Sequence, residues 1–234
     1  MCTVTFVPIA ANDFILTSNR DEAPARNTIP PKMYTVDKTK LIFPKDEVAG
    51  GTWIGMSERK RLICLLNGGF TSHQRKENYR MSRGVIVTTL LTSINAVEAI
   101  KAYDFEGIEP FTIILVTWDA EVQLYELVWD GVNVHFSEKP ITPHIWSSSL
   151  LYADNVKKLR EHWFSDFLTE TRAPLGEEML KFHKTAGEGN PETDLIMDRG
   201  FVKTKSITLF VKDRDQGVMR YEDLQTREIT TIAS

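Results

Sequence analysis

A layered α+β sandwich is the fold class this sequence predicts, on three observations. Short segments rich in β-branched and aromatic residues cluster at the start, in the middle and at the end of the chain. Several are joined by turns too short for a crossover, which makes their strands antiparallel neighbours. Between the strand groups lie two pairs of segments with helical spacing of apolar residues, available to cover sheet faces. With 234 residues, 42% of them hydrophobic, the chain can bury a core without disulfides or metal, and it reads as a single domain over residues 1–234.

The elements follow in order. Residues 3–7 (TVTFV) and 14–18 (FILTS) pattern as strands, and Pro8, Asn12 and Asp13 close them into a hairpin. That hairpin brings residue 2 beside Asn19 or Arg20, according to register. The prolines from Pro24 to Pro31 predict an extended surface loop, followed by short strands at 33–36 and 40–43. Gly50-Gly51-Thr52-Trp53-Ile54-Gly55 reads as a close approach into a strand or as a plain hairpin corner. A buried strand at 60–66 stops at Asn67-Gly68-Gly69, where Asn67 is either a turn residue or an amide aimed into a cleft. Ser82 predicts the cap of a helix through about Leu91. Ser93 predicts the cap of a second, with Ile94, Val97, Ala99, Ile100 and Tyr103 on one side. Strands follow at 111–118, 122–129 and 132–136, the last two joined at Asp130-Gly131. Ser147-Ser148-Ser149 either caps the next helix or exposes a hydroxyl. That helix, at 152–169, buries Val156, Leu159, Trp163, Phe164 and Phe167. Pro174 opens another helix to about Lys184, residues 186–200 predict a mobile acidic loop, and strands at 204–212 and 217–223 close the chain.

Composition removes whole classes of partner. The net charge is −4, from 28 basic and 32 acidic residues, which predicts neither nucleic acid nor an anionic membrane as partner. No apolar run approaches the roughly 20 residues that span a bilayer, and the start of the chain lacks the layout of a signal peptide. Two cysteines fit a reducing cytoplasm. Cys64, within Leu62-Ile63-Cys64-Leu65-Leu66, reads as inert core. The five histidines are scattered, so no metal site is expected, and a small molecule is the expected partner.

Cys2 is the residue that points to chemistry. Once Met1 is removed, it carries both a thiol and an α-amine whose reference pKa of about 7.7–8.0 suits general-base work. Arg20 can lower the thiol pKa, and Asp21 can orient the amine by a charge-assisted hydrogen bond. Nucleophile and base would then be one residue. The plainer reading makes Cys2 a small apolar residue and Asn19-Arg20-Asp21-Glu22 a solvated turn.

Met1-Cys2, Asn19-Arg20-Asp21-Glu22, Arg26, Gly50-Gly51-Thr52-Trp53-Ile54-Gly55 and Ser82-Arg83-Gly84 together resemble the NRDE family, that of the transport and Golgi organisation protein 2. The resemblance runs along most of the chain and is clearest in its first third. It implies an N-terminal-nucleophile (Ntn) hydrolase-like fold, a four-layer αββα arrangement of two antiparallel sheets between helical layers. By similarity to bile-salt hydrolases and penicillin V acylases, Cys2 takes the nucleophile position, Arg20 and Asp21 the flanking charged positions, and Asn67 the oxyanion-hole position. Two residues depart from the pattern: Ser148 stands for an Asn and Lys205 for an Arg. A hydroxyl reaches less far than an amide, and an ammonium does not reproduce a guanidinium fork. The implied activity is hydrolysis of a linear C–N amide bond of a small substrate, with no cofactor. The alternative is a non-catalytic binding or trafficking protein on the same fold, for haem or another apolar ligand, since family members are linked to secretory organisation and haem handling. No Cys-x-x-Cys-His motif is present, so any haem would be non-covalent.

Overall fold

The computed structural model describes residues 3–234, and Met1 and Cys2 lie outside the described residues. The chain divides into two compact units, one formed by Met1–Arg26 with Thr142–Ser234 and the other by Asn27–Ile141.

The first unit is built on the amino-terminal hairpin, β1 (Thr3–Ala10) and β2 (Asp13–Glu22). Its turn is confined to Ala11 and Asn12, and the register slips between Pro8 and Ala10, where proline has no N–H to give. β2 runs straight through Asn19-Arg20-Asp21-Glu22. These residues form no solvated turn: Asn19, Arg20 and Asp21 are each 2% exposed or less. β10 (His144–Ser147), β11 (Lys203–Asp213), β12 (Gln216–Asp223) and β13 (Ile229–Ala233) complete an antiparallel sheet in the order β10-β1-β2-β11-β12-β13. The strands β10 and β13 are not evident from composition. The serine run ends β10 and caps no helix; α3 (Asp154–Glu170) begins six residues after Ser148, with Ala153 at its N-cap.

Alternation along β1, β2 and β11 sorts side chains onto two faces. Val7, Ile15, Ile207 and Leu209 share one face with Phe164 of α3 and with Met179, Leu180 and Phe182 of α4 (Gly176–Thr185). Phe6, Phe14 and Phe210 lie on the other, with ring centroids 5.5 and 5.6 Å apart. Each such side chain contributes about 1.5–3 kcal/mol by leaving water. The segment 186–200 is tied down, contrary to the expected mobile loop. Leu195 and Met197 are buried, Leu195 N–H donates to the Ala186 carbonyl, and the Asp194 carboxylate accepts from the N–H groups of Glu188 and Gly189.

The second unit is a single antiparallel meander with strands in chain order: β3 (Thr28–Val36), β4 (Thr39–Asp46), β5 (Ile54–Ser57), β6 (Arg61–Asn67), β7 (Phe111–Thr117), β8 (Gln123–Trp129) and β9 (Val134–Lys139). β3 includes Pro30 and Pro31, where a loop was expected. It is an edge strand, and its register slips between Ile29 and Lys32, so neither proline removes an interior ladder bond.

Helix α1 (Arg83–Thr92) buries Ile86, Val87, Leu90 and Leu91, as Ser82 and the apolar spacing indicated. Its approach depends on glycine. A Cβ on Gly84 would lie 2.9 Å from the Thr52 carbonyl oxygen, and one on Gly51 2.9 Å from the Gly84 carbonyl carbon. Helix α2 (Ala96–Ala102) is capped by Asn95, whose carbonyl oxygen accepts from the N–H groups of Val97 and Glu98; Ser93 is not its cap. Ser93 instead joins the end of α1, where Arg61 donates to the carbonyls of Leu90, Ser93 and Ile94. These are carbonyls that a helix end leaves unmatched. Cys64 is fully buried in β6, as its apolar surroundings predicted.

Candidate functional site

The register of β2 places its candidate residues against their neighbours in the sheet. Thr3 pairs with Asn19, and on the other side Arg20 pairs with Ser206 and Asp21 with Thr204. Adjacent residues of a strand point to opposite faces, so Arg20 and Asp21 serve different surroundings.

Asp21 lies on the helix-bearing face with Asn19. Its carboxylate accepts from the Tyr152 hydroxyl at 2.7 Å and from the Thr204 hydroxyl at 2.6 Å. The Tyr152 ring in turn lies under the Arg160 guanidinium, 3.7 Å from its centroid, with Arg199 at 5.2 Å. Asn19 donates to the carbonyls of Leu195 and His183, and its own carbonyl oxygen accepts from His183 Nδ1 at 2.7 Å. That contact places the ring proton on Nδ1, leaving Nε2 to accept from the Thr5 hydroxyl at 2.8 Å. Complete burial, reinforced by the Arg160 charge, pulls the His183 pKa from 6.5 to about 3, so the ring is neutral.

Arg20 lies on the opposite face with Glu22, whose carboxylate is 3.9 Å away, and its guanidinium donates to the Arg26 carbonyl. The register slip between Thr204 and Ser206 inserts Lys205 as an extra residue beside it. Lys205 donates to the carbonyls of Pro24 at 2.6 Å and Arg26 at 2.9 Å. Burial, and then the charge of Arg20, hold its pKa below the ordinary lysine value. Two cations thus gather the Pro24–Arg26 segment against the sheet. The buried hydroxyls of Ser206 and Thr208 make no hydrogen bond among the described residues.

Ser148 is 1% exposed, and its carbonyl accepts from the N–H groups of Leu151 and Tyr152. This turn carries the chain from β10 to Tyr152, so Ser148 is linked to Asp21 through one residue. The structure therefore brings Arg20, Asp21, Ser148 and Lys205 onto the sheet end of one unit. Cys2 lies outside the described residues. Asn67 belongs to the second unit, where it is the half-buried last residue of β6, paired with Phe111. The turn begins one residue later, at Gly68, whose φ is +89°. Gly68 N–H donates to the Pro110 carbonyl, which also accepts from Arg83. Arg83 is also 3.2 Å from Glu109, so the Ser-Arg-Gly motif ties the start of α1 to the strand end that bears Asn67.

Arg160, which no sequence motif singles out, is fully buried. Its position was readable: it stands four residues from both Val156 and Phe164, inside the stripe assigned to the core side of α3. Tyr152, His183 and Thr204 were missed as site neighbours because their partners lie far away in sequence.

Among the described residues no cluster of three or more His, Cys, Asp or Glu is arranged to hold a metal ion. His183 has both ring nitrogens engaged, His135 lies 2.8 Å from Asp130 and His73 3.4 Å from Glu109. No helix among the described residues is long and apolar enough to cross a membrane.

A family model described as Transport and Golgi organisation 2 matches residues 1–233. No curated protein matches the sequence closely. Among solved structures, a variant of conjugated bile acid hydrolase from Clostridium perfringens is similar over 99% of this chain and 92% of its own, with a TM-score of 0.60 at 10% identity. The Caenorhabditis elegans orthologue of N-acylethanolamine-hydrolyzing acid amidase matches over 89% of this chain and 92% of its own, with a TM-score of 0.60 at 13% identity. Penicillin V acylase from Agrobacterium tumefaciens matches over 99% and 86%, with a TM-score of 0.51 at 11% identity. The α+β class expected from the sequence, two antiparallel sheets with helices in an Ntn hydrolase-like fold, is the class the structure has.

Proposed function

The chain belongs to the Transport and Golgi organisation 2 family, and from that premise we propose that it is an N-terminal-nucleophile hydrolase that cleaves a linear C–N amide bond of a small substrate. Cys2, exposed as the first residue by loss of Met1, is the nucleophile, and its α-amine takes the thiol proton. The thiolate attacks the substrate carbonyl carbon. The resulting oxyanion is stabilised by the Ser148 hydroxyl. Collapse breaks the C–N bond, the ammonium returns its proton to the departing amine, and water attacks the acyl-enzyme, regenerating the thiol. Asp21 orients the amine, while Arg20 and Lys205 supply positive charge on the other face of β2.

The observation that carries this reading is the Asp21 carboxylate, buried at the end of β2 and fixed by two hydroxyl donors, in a sheet whose register sets Thr3 against Asn19. A buried carboxylate held by neutral donors is costly and repays that cost where an amine must be oriented. The three similar solved structures are, by their names, a bile acid hydrolase, an acid amidase and an acylase, and they support the reaction class.

Intact-mass measurement after iodoacetamide treatment tests the proposal. The expected mass lacks Met1 and carries one adduct, located at Cys2 by peptide mapping. Retention of Met1, or alkylation only at the buried Cys64, overturns the proposal. Turnover of a panel of acyl amides should be lost in Cys2→Ala. Ser148→Asn should raise kcat if the hydroxyl is the weaker oxyanion donor.

A further inference from the structure

Arg160 is a permanently charged side chain with no exposed surface. Its hydrogen-bond partners are two carbonyls and a hydroxyl rather than a carboxylate. Nε donates to Thr193 at 3.0 Å, Nη2 to Asp194 at 2.7 Å, and Nη1 to the Thr3 hydroxyl at 2.5 Å. Burying an ion this way costs several kcal/mol before its hydrogen bonds are counted. A leucine at this position of α3 would fill the core without that cost.

The contacts of Arg160 run in two directions. One is to Thr3, the first described residue of β1. The other is to the face of the Tyr152 ring, 3.7 Å away, and Tyr152 donates its hydroxyl proton to Asp21 at 2.7 Å. A cation over the ring face draws electron density from it and makes the phenol a stronger donor. Thr204 holds the other carboxylate oxygen, and the anchored 186–200 segment supplies the carbonyls that hold Arg160.

We propose that Arg160 and Tyr152 are positioning residues for the N-terminal nucleophile: one guanidinium fixes the start of β1 through Thr3 and, through the tyrosine, fixes the carboxylate that orients the α-amine. This rests on the function proposed above. Among the described residues, the charged and titratable groups connected to Asp21 and Asn19 on this face include Tyr152, Arg160 and Arg199 over its ring, and the neutral His183 on Asn19. Arg20 and Lys205 lie on the other face of the sheet.

The test reads Cys2 alkylation by iodoacetamide against pH, which needs no substrate. A carboxylate near the amine and thiol favours the ammonium and opposes the thiolate, so Asp21→Asn should lower the midpoint of the labelling curve. Tyr152→Phe keeps the ring and loses only the hydroxyl, and it should lower the midpoint in the same direction by about half a pH unit or more. The double variant should move no further than Asp21→Asn alone. Arg160→Lys keeps the charge but not the planar guanidinium over the ring or its three-way hydrogen bonding, and it should reproduce the Tyr152→Phe shift. Thermal melts of each variant report folding separately. If Asp21→Asn moves the midpoint while Tyr152→Phe and Arg160→Lys leave the wild-type curve unchanged, the positioning role is refuted and the hydrolase reading stands. If Asp21→Asn moves nothing and Cys2 labels no faster than Cys64, both fall.

Discussion

His183 couples the stability of the protein to pH at the scale of a single side chain. Its folded pKa, about 3, lies below the ordinary value of 6.5, so between those values the unfolded chain binds a proton that the folded chain does not. The stabilisation is fully present above pH 6.5 and is lost as pH falls toward 3. Urea unfolding should show a loss of about 2 kcal/mol from this group between pH 7 and pH 5. His183→Gln should flatten that slope, and an unchanged slope would place the dependence elsewhere. The residue scale is also where the sequence was least legible. Asn19-Arg20-Asp21-Glu22 carries the composition of a solvated turn, yet it is buried because its partners arrive from far along the chain. The Thr204 hydroxyl that holds Asp21 is 183 residues away, and the Tyr152 hydroxyl 131. No local pattern encodes such pairings. Cys64, whose apolar neighbours are its own strand, was legible for the opposite reason.

At the scale of elements, the Gly51–Gly84 contact sets how closely α1 approaches its sheet. Backbone atoms surround the site of each missing Cβ, so no side chain can yield. Gly84→Ala should destabilise by about 1–3 kcal/mol, which lowers Tm by roughly 2–10 °C for a chain of this size. Calorimetry checks this, and an unchanged Tm would show that the loop can withdraw. Helix α2 offers a milder case. Asn95→Ala removes a cap that two N–H groups use and should cost about 1 kcal/mol, readable as a shift in denaturant midpoint. Elements with strong periodicity and short turns, such as β7 and β8, were predicted almost to their ends. β10 and β13 were not, because each is a short edge strand with little apolar pattern and is defined by its neighbour. The second half of β3 was legible as the strand at 33–36, but its proline-bearing first half read as a loop, because the exclusion of proline from strands relaxes at an edge where the register slips.

At the scale of the molecule, the two sheets are assembled by different rules. The second unit is one continuous run in which every strand pairs with the next in sequence. The first joins β2 to β11, so nearly the whole chain separates strands that lie side by side. Loops that long are costly to close and slow to form. Pulse-labelled hydrogen exchange during refolding should therefore protect amides of β6 and β7 before those of β2 and β11. Simultaneous protection would contradict the ordering. The identities of 9–13% to solved structures of the same fold are consistent with an architecture specified by pattern and pairing rather than by particular side chains.

The pairing of β2 with β11 also sets when the end of β2 can assemble on a ribosome. Strand β2 emerges first but waits for a partner that begins at Lys203. A nascent chain halted before that point can complete the meander while Asp21 still lacks the Thr204 hydroxyl. Assembly of the β2 end is thus withheld until the chain has been made through Thr204, and a chain halted earlier lacks the hydroxyl that holds Asp21.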